Sequence, residues 1–437
     1  CGSNHTYVPA PSDNGGAVQP AASSSTSTTS STSIAAPSST STTTTSLKAC
    51  TTITKSGTYV LDSDLTGSTD IYGPPCITIQ NTSNVTFNCH LHTISGTAPD
   101  IVVSSVSGFT VENCNLQQPS SGYPLVAFKS SSNGELRGST IGNNAEPNPG
   151  WVDLEHDNGM DIHENTFYFY LESRYSTGLS IDSNSFACGY AHAPFGQFCA
   201  SLIVLLYGSK NQLTNNTMDG ESAVDAQGGN GSDDIVNVGE ETGDTISGNT
   251  MKNVWDCGIE VVWGSLTSST ISNNSITNAT YCGIGGWYYL GLSNSTIANN
   301  TVSGSNSLFT FFRIGGLRPA NASYPGSPPD TGVYFTNNTF TGNTFTNSYG
   351  NAGGNASFIP FDNNGDFMDY SEYSSQDTVP TPSQFHLTNN AFGGNEFGPT
   401  GTPNFGSPID SGDVVDKGAN RCIPESIPNY PILCGTP

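Results

Sequence analysis

From Cys50 onward the chain repeats one short pattern of apolar and polar positions: apolar-x-x-Asn-x-apolar, usually with Thr or Ser beside the Asn. It runs through Ile162–Phe167, Ile181–Phe186, Leu213–Met218, Ile246–Met251, Ile271–Ile276, Ile297–Val302, Phe340–Phe345 and Leu387–Phe392. Two earlier copies, Val111–Leu116 and Leu136–Ile141, carry Cys114 and Ser139 in the Asn slot. Each copy predicts a short strand, a tight bend at the Asn and a second short strand. Asn tolerates the left-handed backbone of a sharp corner, and stacked Asn side chains can hydrogen-bond from one copy to the next.

The marked positions 114, 139, 165 and 249, 274, 300 recur every 25 or 26 residues. A coil of that length returning to its own register closes one turn of a solenoid, with inward Ile, Val, Leu and Phe stacked into a continuous core. The larger steps from 300 to 343 and on to 390 imply inserted loops. The Leu framework and helical segment of a leucine-rich repeat are missing. The prediction is an all-β chain, a right-handed parallel β-helix of about a dozen coils and ~60 Å length at ~4.8 Å per coil.

The cysteines fit that register. Cys50 and Cys76 are 26 residues apart, Cys89 and Cys114 are 25 apart, and so are Cys257 and Cys282. Each pair is thus predicted on adjacent coils at equivalent positions, within reach of a disulfide. Cys188 with Cys199 would close one loop, and Cys422 with Cys434 the C-terminal tail. Ten paired cysteines imply an exported chain in an oxidising compartment. Between Ser23 and Ser46, 20 of 24 residues are Ser or Thr, which cannot build a core. Residues 1–49 therefore read as a low-complexity tether or arm, 50–400 as the β-helix, and 401–437 as a C-terminal cap with a disulfide.

Composition narrows the partners. Eleven Lys and Arg stand against 36 Asp and Glu, a net charge of −25 that excludes nucleic acid and anionic membrane faces. No run of 18 apolar residues exists to span a bilayer. The start Cys1-Gly2-Ser3, followed by a polar tether, resembles a mature bacterial lipoprotein. That resemblance implies a lipid on Cys1 as the one route to a membrane; otherwise Cys1 is free or paired to another chain.

Residues 50–420 resemble the right-handed parallel β-helix proteins of the pectate-lyase-like superfamily. The closing Ile409-Asp410 and Val415-Asp416-Lys417-Gly418-Ala419-Asn420-Arg421-Cys422 are similar to the tail after many bacterial surface β-helices. The resemblance implies polysaccharide lyases, glycoside hydrolases, esterases, tailspikes or adhesins, and fold alone does not choose among them. The superfamily's polygalacturonase-like hydrolases imply an Asn-Thr-Asp, an Asp-Asp, a Gly-His-Gly and an Arg-Ile-Lys. Here Asp233-Asp234 supplies the paired Asp, but Gly-His-Gly and Arg-Ile-Lys are absent. A pectate-lyase site, with Ca²⁺-binding acids beside an Arg or Lys base, finds few cations to draw on.

Chemistry is sought where strand alternation turns polar residues outward. Aligning Cys257–Trp263 on Cys282–Trp287 keeps Ile259 and Ile284 inside and turns Glu260 out, near Trp287, with Tyr288 and Asp225 as neighbours. Acids beside aromatic rings suit a sugar site, so Glu260 and Asp225 are candidate catalysts, with Trp263, Trp287 and Tyr288 as sugar contacts. Trp151-Val-Asp153-Leu-Glu155 offers a second outward set, adding Asp153 and Glu155. The alternative is that these rings cover sheet edges or subunit contacts and the acids are solvated. Between Asp219 and Asp244 stand eight carboxylates and no Lys or Arg. Of these, Asp233, Asp234, Glu240, Glu241 and Asp244 could hold Ca²⁺, or form a solvated acidic loop. His90-Leu-His92 lacks a third ligand, so no transition metal is assigned. Twelve Asn-x-Ser/Thr sequons fall mostly in the corners, whose geometry explains them without glycosylation.

Two functions remain. The first is an extracellular structural protein, a subunit that self-associates into a filament or surface layer through its N-terminal arm. The alternative is a surface-displayed carbohydrate-active enzyme or binder of cell-surface glycans, a hydrolase rather than a lyase.

Overall fold

The computed structural model describes residues 44–117, 123–143, 150–188, 198–221, 231–262, 264–279, 282–287, 291–305, 307–311, 333–346, 385–397 and 414–422. Within them every strand pairing is parallel, and the chain winds as a right-handed parallel β-helix. Three long sheets form its sides: sheet A of 14 strands, sheet B of 11 and sheet C of 13 among the described residues. One coil shows the order. Cys257–Val262 lies in sheet B, Ser265–Thr267 in a fourth sheet of 5 strands, Thr270–Ser272 in A and Ser275–Ala279 in C, and Cys282–Trp287 returns to B. Among the described residues the winding runs from Thr44–Leu47, paired with Gly57–Leu61, through Asn420 to Arg421–Cys422. No helix among the described residues is long and apolar enough to cross a membrane.

Alternation builds the core. Ile101, Val126, Val152, Leu171, Ile203, Val236, Ile259 and Ile284 stack in register up sheet B and are all fully buried. In sheet C Phe167 lies on Phe186 with centroids 4.4 Å apart, and in sheet A Phe340 lies on Phe392 at 4.5 Å. Gly134 interrupts an inward column of sheet A because the Phe109 ring fills its place: a Cβ there would lie 2.2 Å from that ring and 2.7 Å from Met160 Sδ. Gly134→Val is therefore expected to overpack the column and lower stability by about 2–3 kcal/mol. A urea midpoint equal to the parent's would contradict that packing.

Two hydrogen-bonded ladders hold the corners. Between sheets A and C run Cys114, Ser139, Asn165, Asn184, Asn216, Asn249, Asn274, Asn300, Asn343, Asn395 and Asn420, and each from Ser139 onward receives the backbone N–H of the rung before it. At the next corner runs a second ladder of Asn211, Asp244, Ser269, Ser295, Asn338 and Asn390. In the lower coils Ser131, Asp157 and Ser176 form a short separate series three residues earlier in the turn, in the column of Gly208 and Glu241. The apolar-x-x-Asn-x-apolar unit thus occurs twice per coil. Leu387–Phe392 pairs with Phe335–Phe340, so its Asn390 belongs to the second ladder and not above Asn343. The left-handed residue also differs from the sequence reading. It is the exposed residue before the rung, such as Asn273 (φ 55°) or Asn299 (φ 54°), while the rung itself points inward.

Three of the expected disulfides are in place: Cys50–Cys76, Cys89–Cys114 and Cys257–Cys282, with Cα–Cα distances of 4.4, 4.8 and 4.6 Å. They mark an exported chain. Cys188 is also disulfide-bonded. Cys199 and Cys422 lie on strands, but their sulfurs fall outside the described residues, as do Cys434 and Cys1.

Candidate functional site on the outer face of sheet B

Two polar clusters occupy the outer face of sheet B. The lower one is built by consecutive strands, Val152–Glu155 and Leu171–Arg174, separated by a coil of 19 residues instead of 25. Their sequences align position by position, Trp-Val-Asp-Leu-Glu-His over Tyr-Leu-Glu-Ser-Arg-Tyr, from Trp151 and Tyr170. Alternation buries Val152, Leu154, Leu171 and Ser173 and leaves Asp153, Glu155, Glu172 and Arg174 outward and partly exposed. Asp153 is the register partner of Glu172, and Glu155 that of Arg174.

Charges on this face are unevenly matched. Arg174 bonds the Glu172 carboxylate on its own strand, and Lys129 lies 3.8 Å from Glu155. Among the described residues no cation is paired with Asp153. Burial raises it to about 6, the neighbouring Glu172 charge adds to the rise, and Arg174 and Lys129 oppose it. Burial also raises Glu172, but there the Arg174 guanidinium favours the charged form. Aromatic stacks frame the carboxyls. Trp151 lies on Tyr170 at 5.2 Å and 13°, packed against the core. Beyond the other strand end His156 stacks on Tyr175 at 4.9 Å, and Tyr175 on Tyr207 at 5.2 Å.

The upper cluster contains Glu260. As alternation requires, Glu260 leaves the core side of its strand, but it is only 4% exposed. It hydrogen-bonds Asp234, which is 3% exposed and accepts the Cys257 N–H at 3.0 Å. The Asn237 amide fits between them, its NH₂ directed to Glu260 Oε2 (3.1 Å) and Asp234 Oδ2 (3.3 Å) and its oxygen toward Ser201 Oγ (2.5 Å). Burial, reinforced by the charge of Asp233, raises Asp234 to about 8. Glu260 is driven well above its ordinary value by burial and then by the charges of Asp234 and Asp256. The pair therefore keeps a proton in a covered position. Trp287 lies two residues beyond Gly285, the partner of Glu260. The Trp287 side chain, Trp263, Tyr288 and Asp225 lie outside the described residues.

The five carboxylates considered for Ca²⁺ fall in different places. Asp233 and Asp234 lie on the strand Gly231–Gly239, and Glu240 stands at its end. Glu241 and Asp244 are taken up by backbone at the corner: Glu241 accepts the Gly208 N–H at 2.8 Å, and Asp244, a rung of the second ladder, accepts that of Asn211 at 2.9 Å. Burial, with the Asp244 charge, raises Glu241 to about 10. Among the described residues, the group whose ligand atoms lie within 4.8 Å of one another is Asp234, Asp256 and Cys257. The Cys257 sulfur is bonded to Cys282, so it offers no thiolate.

Sequence reasoning singled out Asp153 and Glu155 but missed Glu172, Arg174 and the rings at 170, 175 and 207. The signal was there, in the aligned segments 151–156 and 170–175, but a 19-residue step lies outside the 25-residue period.

No protein-family model matches the chain, and no curated protein matches it. Solved structures similar to it include a hyperthermoactive exopolygalacturonase from Thermotoga maritima, at 8% identity over 67% of this chain and 80% of that one, with a TM-score of 0.44. A PL6 family alginate lyase matches at 13% identity over 86% of this chain and 51% of that one, TM-score 0.44. The Dettilon tailspike protein matches at 13% identity over 84% and 63%, TM-score 0.41. The chain thus spans less than two thirds of the lyase and of the tailspike.

Proposed function

We propose that this is an exported carbohydrate-active protein that takes a polysaccharide on the outer face of sheet B and hydrolyses it at Asp153 and Glu172. The observation that carries this reading is the register pairing of two partly exposed carboxyls in opposed settings. One has no paired cation among the described residues and retains its proton to about 6, and the other is gripped by Arg174. Environments that separate two acids in this way divide the roles of proton donor and charged partner. Register neighbours on parallel strands project their side chains about 5 Å apart, the spacing at which one carboxyl protonates the leaving oxygen and the other attacks the sugar carbon. Asp153 is the acid and Glu172 the nucleophile, with Arg174 positioning it. The Asp234–Glu260 pair lies two to three coils further along the same sheet and is covered, so it is not assigned to the chemistry. The filament reading depends on the arm, whose residues 1–43 lie outside the described ones, and no described contact favours it.

Asp153→Asn and Glu172→Gln should each lower reducing-sugar release from a susceptible polysaccharide at least ~100-fold while leaving the fold and glycan binding intact. Because Asp153 acts protonated, parent turnover should fall as pH rises through about 6. Turnover unchanged in both variants would remove these residues from the chemistry.

A further inference from the structure

The carboxyl pair does not fill the lower face of sheet B. From Trp151 to His156 the strand covers five residue steps, ~16 Å at the ordinary strand rise, which is longer than one sugar ring. Both ends are aromatic. Trp151–Tyr170 closes one, and the three-ring stack His156–Tyr175–Tyr207 closes the other, with His156 exposed and Tyr175 38% exposed. Each ring of that stack stands just beyond the end of its sheet-B strand, and all three residues have left-handed backbones, with φ of 58°, 56° and 61°. A left-handed Tyr or His carries a steric cost that Asn or Gly would avoid. Two Tyr and one His in succession at this corner are therefore a feature that packing and turn geometry alone do not call for.

Charge decides the class of ligand. The described face carries two cations, Lys129 and Arg174, and each is already bonded to or beside a carboxylate, Glu155 and Glu172. Asp153 adds a further acid. A polyuronate or sulfated chain would meet carboxylates without a spare cation to receive it, on a protein of net charge −25. An uncharged chain meets no such penalty. Its hydroxyls can bond the carboxylates, the phenols and the imidazole, and its C–H surfaces can contact the rings.

We infer that the face binds an uncharged polysaccharide laid along the strand direction, whose sugar unit beyond Glu155 packs across the outer edges of the His156–Tyr175–Tyr207 stack, a rail that runs from coil to coil. This rests on the reading of sheet B as a glycan face and names its ligand class and an outer subsite. Tyr175 is the residue to change, and Asn is the replacement, because Asn accepts the left-handed corner and keeps the turn.

The test is affinity electrophoresis of the full chain and of Tyr175→Asn through native gels containing galactomannan, xyloglucan or dextran, or the anionic polygalacturonate or alginate. Circular dichroism of both proteins establishes that the fold is kept. Retardation by at least one neutral polymer and by neither anionic one is expected, with the apparent affinity about fivefold to tenfold weaker in Tyr175→Asn. Retardation by an anionic polymer would overturn the ligand class and leave the glycan face standing. Retardation by a neutral polymer that is unchanged in Tyr175→Asn would overturn the rail. No retardation in any gel would overturn the glycan face itself.

Discussion

Asn274→Leu should destabilise the β-helix by on the order of 5 kcal/mol or more, although Leu is close to Asn in size. The Asn274 side chain is 1% exposed and makes four hydrogen bonds. Its oxygen accepts the Asn249 N–H at 3.1 Å and the Asn249 side-chain NH₂ at 3.0 Å. Its nitrogen donates to the Ile246 carbonyl at 2.9 Å and to Asn300 Oδ1 at 2.9 Å. Leu removes all four and leaves buried donors on the rung below without acceptors, each costing about 1–3 kcal/mol. The neighbouring Asn273 serves as the control. It is exposed and left-handed, so Asn273→Gly should be nearly neutral, whereas Asn273→Val should cost about 1–2 kcal/mol in backbone strain. Because coils contact only their neighbours, amide exchange should rise first between residues 246 and 302 in Asn274→Leu. A denaturation midpoint for Asn274→Leu within 1 kcal/mol of the parent would refute this account of the ladder.

The same two asparagines show what sequence could reveal. Period, core columns and cross-coil cysteines were legible because each is a repeat of residue type at fixed spacing, and stacking turns such spacing directly into contact. The division of labour within Asn273-Asn274 was not, because both residues suit a corner and only the backbone shows which one turns outward. The second ladder was hidden for a related reason. Its rungs change identity among Ser, Asp and Asn, any of which can accept one backbone N–H, so no single letter recurs.

The outer face was legible only in part. Alternation correctly turned Asp153, Glu155 and Glu260 away from the core, but alternation gives direction and not cover. Glu260 is buried beside Asp234, whereas Asp153 on the same sheet stays partly open. The pairing of Asp153 with Glu172 required the 19-residue coil, a local departure from period that only the register exposes.

Stability should be greatest in acid and fall as pH rises from about 4 to 8, opposite to the trend for paired surface carboxylates. Several acids are buried with no cation paired to them among the described residues. Burial raises Asp157 to about 7 and Asp234 to about 8, and drives Asp100 and Glu260 well above their ordinary values. The unfolded chain releases these protons near pH 4, while the folded chain holds them until its higher values are reached. Between those limits the folded state binds more protons, so each rise in pH favours unfolding. The stabilisation is complete below about 4 and is lost as pH passes through the folded values. For Asp157, 1% exposed, a rise from 3.8 to about 7 corresponds to ~4 kcal/mol. Exposed Asp64 and half-buried Glu135 and Asp182 are shifted down and act the other way, but only below about 4. The decisive variant is Asp157→Asn. Asp157 occupies a rung of the short lower series, accepting the Ser131 N–H at 2.7 Å and the Glu155 N–H at 3.0 Å. Asn keeps one acceptor oxygen, as the Asn rungs at 211, 338 and 390 of the neighbouring ladder do, so it can accept the Ser131 N–H without titrating. Asp157→Asn should match or fall slightly below the parent at pH 4 and exceed it by a few kcal/mol at pH 8, read from urea unfolding across that range. Parallel profiles for the two proteins, or a parent whose stability is flat from pH 4 to 8, would show that the buried rung is ionised at no cost and that the corner admits water.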